Sequence, residues 1–249
     1  MPRSAYWNHN VHYQPVILNA VPPACHTALD VGCGDGLLAA RLAERCAKVT
    51  GIDRDPQMIA TARAHNPSGV TFVEADFLTH RFPEESFDLV CANTSLHHMD
   101  FTAALTTMAR LLRPSARLAV IGLAADKSLA DLLAAAPALP VDLFYRAIYR
   151  RGESGAPIMD PDHSWREVRA AAGTVLPGVR YRRHLLWRYS LLWTKPAQRR
   201  VPDGAGAGHG TGASCGASRS GIIREDIGLR ERFVHYRPLN SPISPNPPR

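Results

Sequence analysis

Two rhythms alternate along this chain. Short runs of β-favouring residues recur, and most are followed by a stretch with apolar positions three and four apart, the spacing of one helix face. The first clear run is 28–31; it breaks into a loop carrying Gly32, Gly34 and Gly36, and Leu37, Leu38 and Leu42 then mark the buried side of a helix. A second strand is expected over 49–52, and Asp55-Pro56 opens a helix with Pro at its first position, its apolar face being Met58, Ile59 and Ala62. A third β-rich run, 70–77, ends on Asp76 and Phe77. A fourth spans 87–92 and leads to a helix over 101–112 that Arg113-Pro114 stops. The fifth run is 117–123.

Beyond it, helices are predicted over 129–136 and 141–151, the latter with Leu143, Phe144, Ala147 and Ile148 on its apolar side. Ser164 then opens a helix as N-cap, with Glu167 completing a capping box. Two final β-like runs, 179–186 and 188–194, are joined by a link so short that they read as an antiparallel pair. At the front, Val16, Ile17, Leu18 and Val21 mark a short helix that ends before Pro22. Strands alternating with helices at this spacing predict an α/β fold, a parallel sheet covered by helices on both faces. Ligands of such sheets sit at the carboxyl ends of the strands.

Composition changes this picture at one end only. From residue 198 the chain turns to Gly/Ala/Ser repeats and then to a proline-rich stretch, which cannot bury enough surface to offset its ordering entropy. Residues 198–249 are therefore expected to be a disordered tail behind a folded domain of 1–197. Net charge follows the same division. The +7 of the whole chain includes +4 from that tail, with eight Arg and four acids, so the folded part carries only +3. Such a balance argues against nucleic acid as a partner. The polar first ten residues resemble no signal peptide, and the longest apolar region, 129–141, is too short and too interrupted to span a bilayer. The five cysteines, Cys25, Cys33, Cys46, Cys91 and Cys215, show no metal-knuckle or redox spacing, so no metal is expected and free thiols in a reducing, cytoplasmic compartment are.

The glycine turn is the first candidate site. Glycines serve where the backbone takes positive φ or where a ligand comes closer than a Cβ would allow, and the helix behind them offers free N–H groups. Asp53 stands at the end of the second strand, 17 residues beyond Gly36, where an acid can accept both hydroxyls of a ribose. Asp76 and Phe77 follow the third strand, placed for a base: carboxylate to an amino group, ring or backbone to the flat face. As a solvated loop acid and a core phenylalanine they would do neither.

Taken together, LDVGCGDG, GIDRDPQMI, EADF and FDLVCANTSLHHM resemble the class I S-adenosylmethionine-dependent methyltransferases, of the small-molecule type 11 kind. The resemblance is strong over 29–123 and looser to 196. It implies a Rossmann-like, seven-stranded, mainly parallel sheet whose last strand is antiparallel. It also implies S-adenosyl-L-methionine as cofactor, with Asp30, Gly32, Gly34 and Gly36 around its methionine part, Asp53 on the ribose, Asp76 and Phe77 on the adenine, and Asn93 at the mouth where the methyl group leaves. The expected activity is methyl transfer to an O, N or C atom of a small-molecule acceptor. RNA or protein acceptors, or binding of the cofactor without catalysis, are the alternatives. Gly-x-Gly-x-Gly and EADF count against a nicotinamide-dependent oxidoreductase.

A general base is needed only where the acceptor must lose a proton. His97, His98 and His163 are the candidates, against a reading of the first two as helix-start packing and of the third as a loop residue. Tyr6, Trp7, His9, His12 and Tyr13, within an N-terminal segment 1–23, either form a lid or pack a helix onto the sheet. Residues 124–163 are expected on the acceptor side. Arg180, Arg182 and His184 alternate onto one face of a strand, read as a solvated basic face rather than a contact for an acidic partner.

Overall fold

A computed structural model describes residues 8–65, 69–148 and 160–197. All of them belong to the first of two units, Met1–Arg200. In chain order the elements are α1 (His9–Ala20), β1 (Thr27–Val31), α2 (Leu37–Ala43), β2 (Lys48–Asp53), α3 (Pro56–His65), β3 (Val70–Glu74), β4 (Phe87–Asn93), a turn of 3-10 helix (Leu96–His98), α4 (Phe101–Leu111), β5 (Leu112–Leu123), α5 (Leu129–Ala135), α6 (Ala138–Ile148), α7 (Trp165–Val175), β6 (Arg180–Arg183) and β7 (Arg188–Thr194). Among the described residues no helix is long and apolar enough to cross a membrane. The expected disordered tail of 198–249 lies outside the described residues.

The seven strands form one sheet in the order β3-β2-β1-β4-β5-β7-β6. β1 to β5 run parallel, and β7 is antiparallel to both neighbours, as the short link had implied. β1, β4 and the second half of β5 are buried almost throughout, because helices cover both faces. On one face Leu105 and Met108 of α4 and Trp165 and Val168 of α7 pack on Leu29, Val31, Val90 and Val120. On the other, Ile17 of α1, Leu38 and Leu42 of α2 and Ile59 of α3 meet Ala28, Leu89, Cys91 and Ile121. Burial of each such branched side chain contributes about 1.5 to 3 kcal/mol. The capping box of Ser164 and Glu167 starts α7 as expected.

Four readings of the sequence are corrected. Pro114 stops no more than the helix: the chain enters β5 at Leu112, and the register between β4 and β5 breaks between Phe87/Leu112 and Leu89/Arg117. The irregularity spans Pro114, which lacks a donor, and Ser115, held at φ +66°. His184 does not share a solvated face with Arg180 and Arg182, because β6 ends at Arg183 and the His184 ring turns inward to the Ser190 hydroxyl at 2.8 Å. Leu143 and Phe144 face solvent; α6 is rotated so that Asp142 is buried, its Oδ1 2.8 Å from His9 Nε2. Finally, not all cysteines are free thiols. Cys25 and Cys46 form a disulfide between the chain entering β1 and the link from α2 to β2, while Cys33 and Cys91 are free and buried.

Candidate active site

Strand order reverses between β1 and β4, and that is where the sheet opens at its carboxyl edge. A cavity of about 420 Å³ lies there, within the range of small-molecule sites. Its floor is the turn after β1. Gly32 and Cys33 donate their N–H groups to the Ile52 carbonyl at 2.8 and 3.1 Å, folding the turn over the end of β2. Gly32 has φ +68°, and a Cβ there would collide with Ser95, whose hydroxyl donates to the Val31 carbonyl. Gly34, at φ +52°, has no atom within 4 Å of the place its Cβ would take, and it lines the cavity. Gly36 stands behind the turn as the cap of α2.

Asp30, Gly32, Gly34, Asp53, Asp76, Phe77 and Asn93 all line this one space, although they come from four strands. Asp53 accepts from the Gly34 N–H at 2.9 Å with Oδ2 and from the Asp55 N–H at 3.0 Å with Oδ1, so its carboxylate is held at the rim. Asp76 is exposed and accepts from the Leu78 N–H at 2.8 Å, while Phe77 is buried in the adjoining core. Asp30 is only 1% exposed and its Oδ2 has no hydrogen-bond partner. Burial, with the nearby charges of Asp53 and Asp35, pushes its carboxyl up to about 7.

Five carboxylates line the cavity, Asp30, Asp35, Asp53, Asp55 and Asp76, against one guanidinium, Arg54. This field suits a ligand with cationic groups and opposes a pyrophosphate. S-Adenosylmethionine, with a sulfonium and an ammonium, fits on three counts: an unpartnered buried carboxylate, a glycine edge open to the cavity, and a fixed acid for a diol.

Of the three histidines, only His98 lines the cavity. Burial and Arg54 hold its pKa below the usual histidine value, with Asp53 opposing. The His97 ring lies tilted against it, centroids 4.0 Å apart, and is not among the residues around the cavity. Burial, His98 and Arg188 bring its pKa down to about 4, and its Nδ1 has no partner. His163 is exposed, its ring 5.8 Å from that of Phe101, and it is not among the residues around the cavity.

The roof is α1, formed by residues that the sequence had not marked. Asn8, Asn10, Val11 and Gln14 face the cavity, at the three-and-four spacing of a helix. The aromatic residues lie on the opposite side: His9 meets Asp142, His12 stacks edge-on against Tyr145, and the Tyr13 hydroxyl donates to the Leu185 carbonyl at 2.7 Å. Tyr6 and Trp7 lie outside the described residues. Thus α1 covers the site through amides and packs through aromatics. A polar residue on such a helix reads as solvent-facing, so no sequence signal distinguished Asn10 or Gln14; Arg54, Met58, Ser95 and Met99 also line the cavity, and of these Met58 was expected only as core.

Residues 29–120 match a family described as methyltransferase domain. An uncharacterised methyltransferase of Mycobacterium bovis is 34% identical over 193 residues, covering 76% of this chain and 98% of its own. The chain belongs to the class I S-adenosylmethionine-dependent methyltransferases. Trans-aconitate 2-methyltransferase of Escherichia coli is 43% identical over 94 residues, 36% of either chain. Among solved structures, a methyltransferase from Methanosarcina mazei superposes with a TM-score of 0.54 at 17% identity, covering 74% of this chain and 98% of that one; the likeness is one of fold. This methyltransferase therefore takes S-adenosyl-L-methionine as its cofactor.

Proposed function

We propose that this methyltransferase modifies an O, N or C atom of a small molecule held beside the cofactor under α1. One observation carries the reading: the cavity is roofed by a helix and lined by five carboxylates against one arginine. Such a space suits a compact acceptor and repels a phosphate backbone. The similarity to an enzyme named for a small carboxylic acid supports a small acceptor.

Within this reading Asp30 and the Gly32–Gly34 edge hold the methionine part of the cofactor. Asp53 accepts the ribose hydroxyls, Asp76 and Phe77 flank the adenine, and Asn93 borders the mouth. Bound cofactor supplies an electrophilic methyl group on a sulfonium. The chain's own part is alignment, which contributes about 7 to 11 kcal/mol in favourable cases. His98 takes the proton where the acceptor must lose one, since a lowered pKa keeps its imidazole neutral and able to accept. Segment 124–163 serves the acceptor side through α6, whose Asp142 fixes α1 by way of His9.

The test is methyl transfer from radiolabelled S-adenosylmethionine into a cell extract separated into metabolite, RNA and protein fractions. Label in the metabolite fraction supports the proposal. Label confined to RNA or protein overturns it.

A further inference from the structure

Arg188, the first residue of β7, is 7% exposed and has no acidic partner among the described residues. Its Nη1 donates to the Leu186 carbonyl at 3.2 Å and its Nη2 to Asn10 Oδ1 at 2.7 Å, while its Nε is buried without any partner. All these partners are neutral. A guanidinium stays charged at every physiological pH, and a buried charge without a counter-charge is among the most costly groups a fold can hold.

Arg188 is not among the residues around the cavity; the Asn10 side chain stands between the two, lining the cavity and accepting from Nη2. Leu123 of β5 pairs with Arg188, and Ile121 pairs with Asn93 of β4, so Arg188 stands beyond Asn93 at the same carboxyl edge, two strands across. Asn10 links them: its carbonyl accepts from Asn93 Nδ2 at 3.3 Å while its side chain holds Arg188, and it lines the cavity itself. Two residues that line the cavity here also carry a buried polar atom without a partner, Asn93 Oδ1 and Thr94 Oγ1. The glycine turn and Asp53, by contrast, lie on the β1–β2 side.

Nε–H and Nη2 form one edge of the guanidinium, the fork that takes a carboxylate through two parallel hydrogen bonds. The Asn10 amide oxygen occupies one prong and leaves the other empty. A carboxylate in its place would satisfy both and supply the missing charge.

Resting on the reading of the cavity as a small-molecule methyl-transfer site, we propose that the acceptor is a carboxylic acid whose carboxylate binds Arg188 in place of the Asn10 side chain. Arg188 is then a binding residue for the acceptor and sets its class. Because one asparagine spans Asn93 and Arg188, the acid is compact, with its anionic end close to the methyl-transfer mouth. The other source of a carboxylate is the methionine part of the cofactor, and the experiment separates the two.

The full chain saturated with S-adenosylhomocysteine is screened by thermal shift against straight-chain mono- and dicarboxylic acids and their matched primary amides, with wild type, Arg188→Gln and Asn10→Asp compared. At least one acid is expected to raise Tm where its amide does not, and that shift is expected to vanish in Arg188→Gln. Asn10→Asp, which places an internal carboxylate on the fork, is expected to raise the Tm of the free protein and to abolish the response to acids. Calorimetry of S-adenosylhomocysteine should give the same affinity for wild type and Arg188→Gln. No response to any acid, or a response that survives in both variants, overturns the proposal. A loss of about tenfold or more in S-adenosylhomocysteine affinity in Arg188→Gln assigns the guanidinium to the cofactor and overturns it as well. Failure of wild type to bind S-adenosylhomocysteine would instead sink the reading of the cavity on which the proposal rests.

Discussion

The Gly34 N–H donates to Asp53 Oδ2 at 2.9 Å, tying the turn after β1 to the end of β2. One carboxylate thereby shapes the glycine edge and stands at the rim where a ribose is expected. Its two oxygens already hold the Gly34 and Asp55 amides, so it arrives in position before any ligand does.

Asp53→Ala should therefore weaken cofactor binding twice over, by losing the acceptor and by freeing the turn. Hydrogen bonds to a charged group are worth about 1.5 to 3 kcal/mol each, which corresponds to a loss of about 10- to 100-fold in S-adenosylhomocysteine affinity. Calorimetry checks this, with Asp53→Asn as the milder variant; unchanged affinity would remove Asp53 from the site.

The two turn glycines should fail differently. A Cβ on Gly32 collides with Ser95, so Gly32→Ala should lower stability by more than the roughly 1 to 2 kcal/mol of a left-handed backbone alone. A Cβ on Gly34 meets no protein atom, and Gly34→Ala should fold at about that backbone cost while losing S-adenosylhomocysteine binding. Thermal melts and calorimetry on both variants distinguish the outcomes.

If His98 accepts a proton from the acceptor, His98→Ala should lower kcat by about 10²- to 10⁴-fold, with cofactor affinity unchanged. His163→Ala, at an exposed position off the cavity, should leave kcat near wild type. Once an acceptor is in hand, steady-state kinetics of the two variants decide between the histidines.

That the sheet residues of the cavity come together was legible because they are carried at strand ends. Asp30, Asp53, Asp76 and Asn93 each close or follow an apolar run, and the sheet converges such positions without further information. The roof was not legible. Asn8, Asn10 and Gln14 look like solvent-facing residues of a marginal helix, and only the placement of α1 over β4 and β5 turns them inward. Arg188 was hidden for a related reason. Basic residues at 180, 182, 183 and 188 look alike in sequence, yet Arg183 pairs with Asp126 and Asp131 and lies over the Trp165 ring, whereas Arg188 is buried among neutral partners. The Cys25–Cys46 bridge depended on β1 and β2 starting side by side, a fact of topology rather than of spacing.

Asp30 offers the sharpest pH test, because its burial acts oppositely on folding and on binding. Its carboxyl titrates near 7 in the folded protein, against 3.8 for the unmodified group, with burial the main cause and Asp53 and Asp35 adding to it. Below about pH 4 both folded and unfolded chains hold the proton, and stability is unaffected. Between about 4 and 7 the unfolded chain gives it up first, so the folded state binds more protons and stability falls as pH rises. Above 7 the loss is complete, on the order of 4 kcal/mol. Asp30→Asn removes that loss and should melt several degrees above wild type at pH 8 while matching it near pH 4. Binding runs the other way: a cationic cofactor prefers the ionised carboxylate, so affinity for S-adenosylmethionine should rise from pH 6 to 7 and level off above. In Asp30→Asn this rise should disappear and affinity should stay low throughout. Melting curves and calorimetry across pH 4 to 8 would show both halves, and a variant that is less stable at pH 8 would refute the assignment of Asp30 as a buried charge held for the ligand.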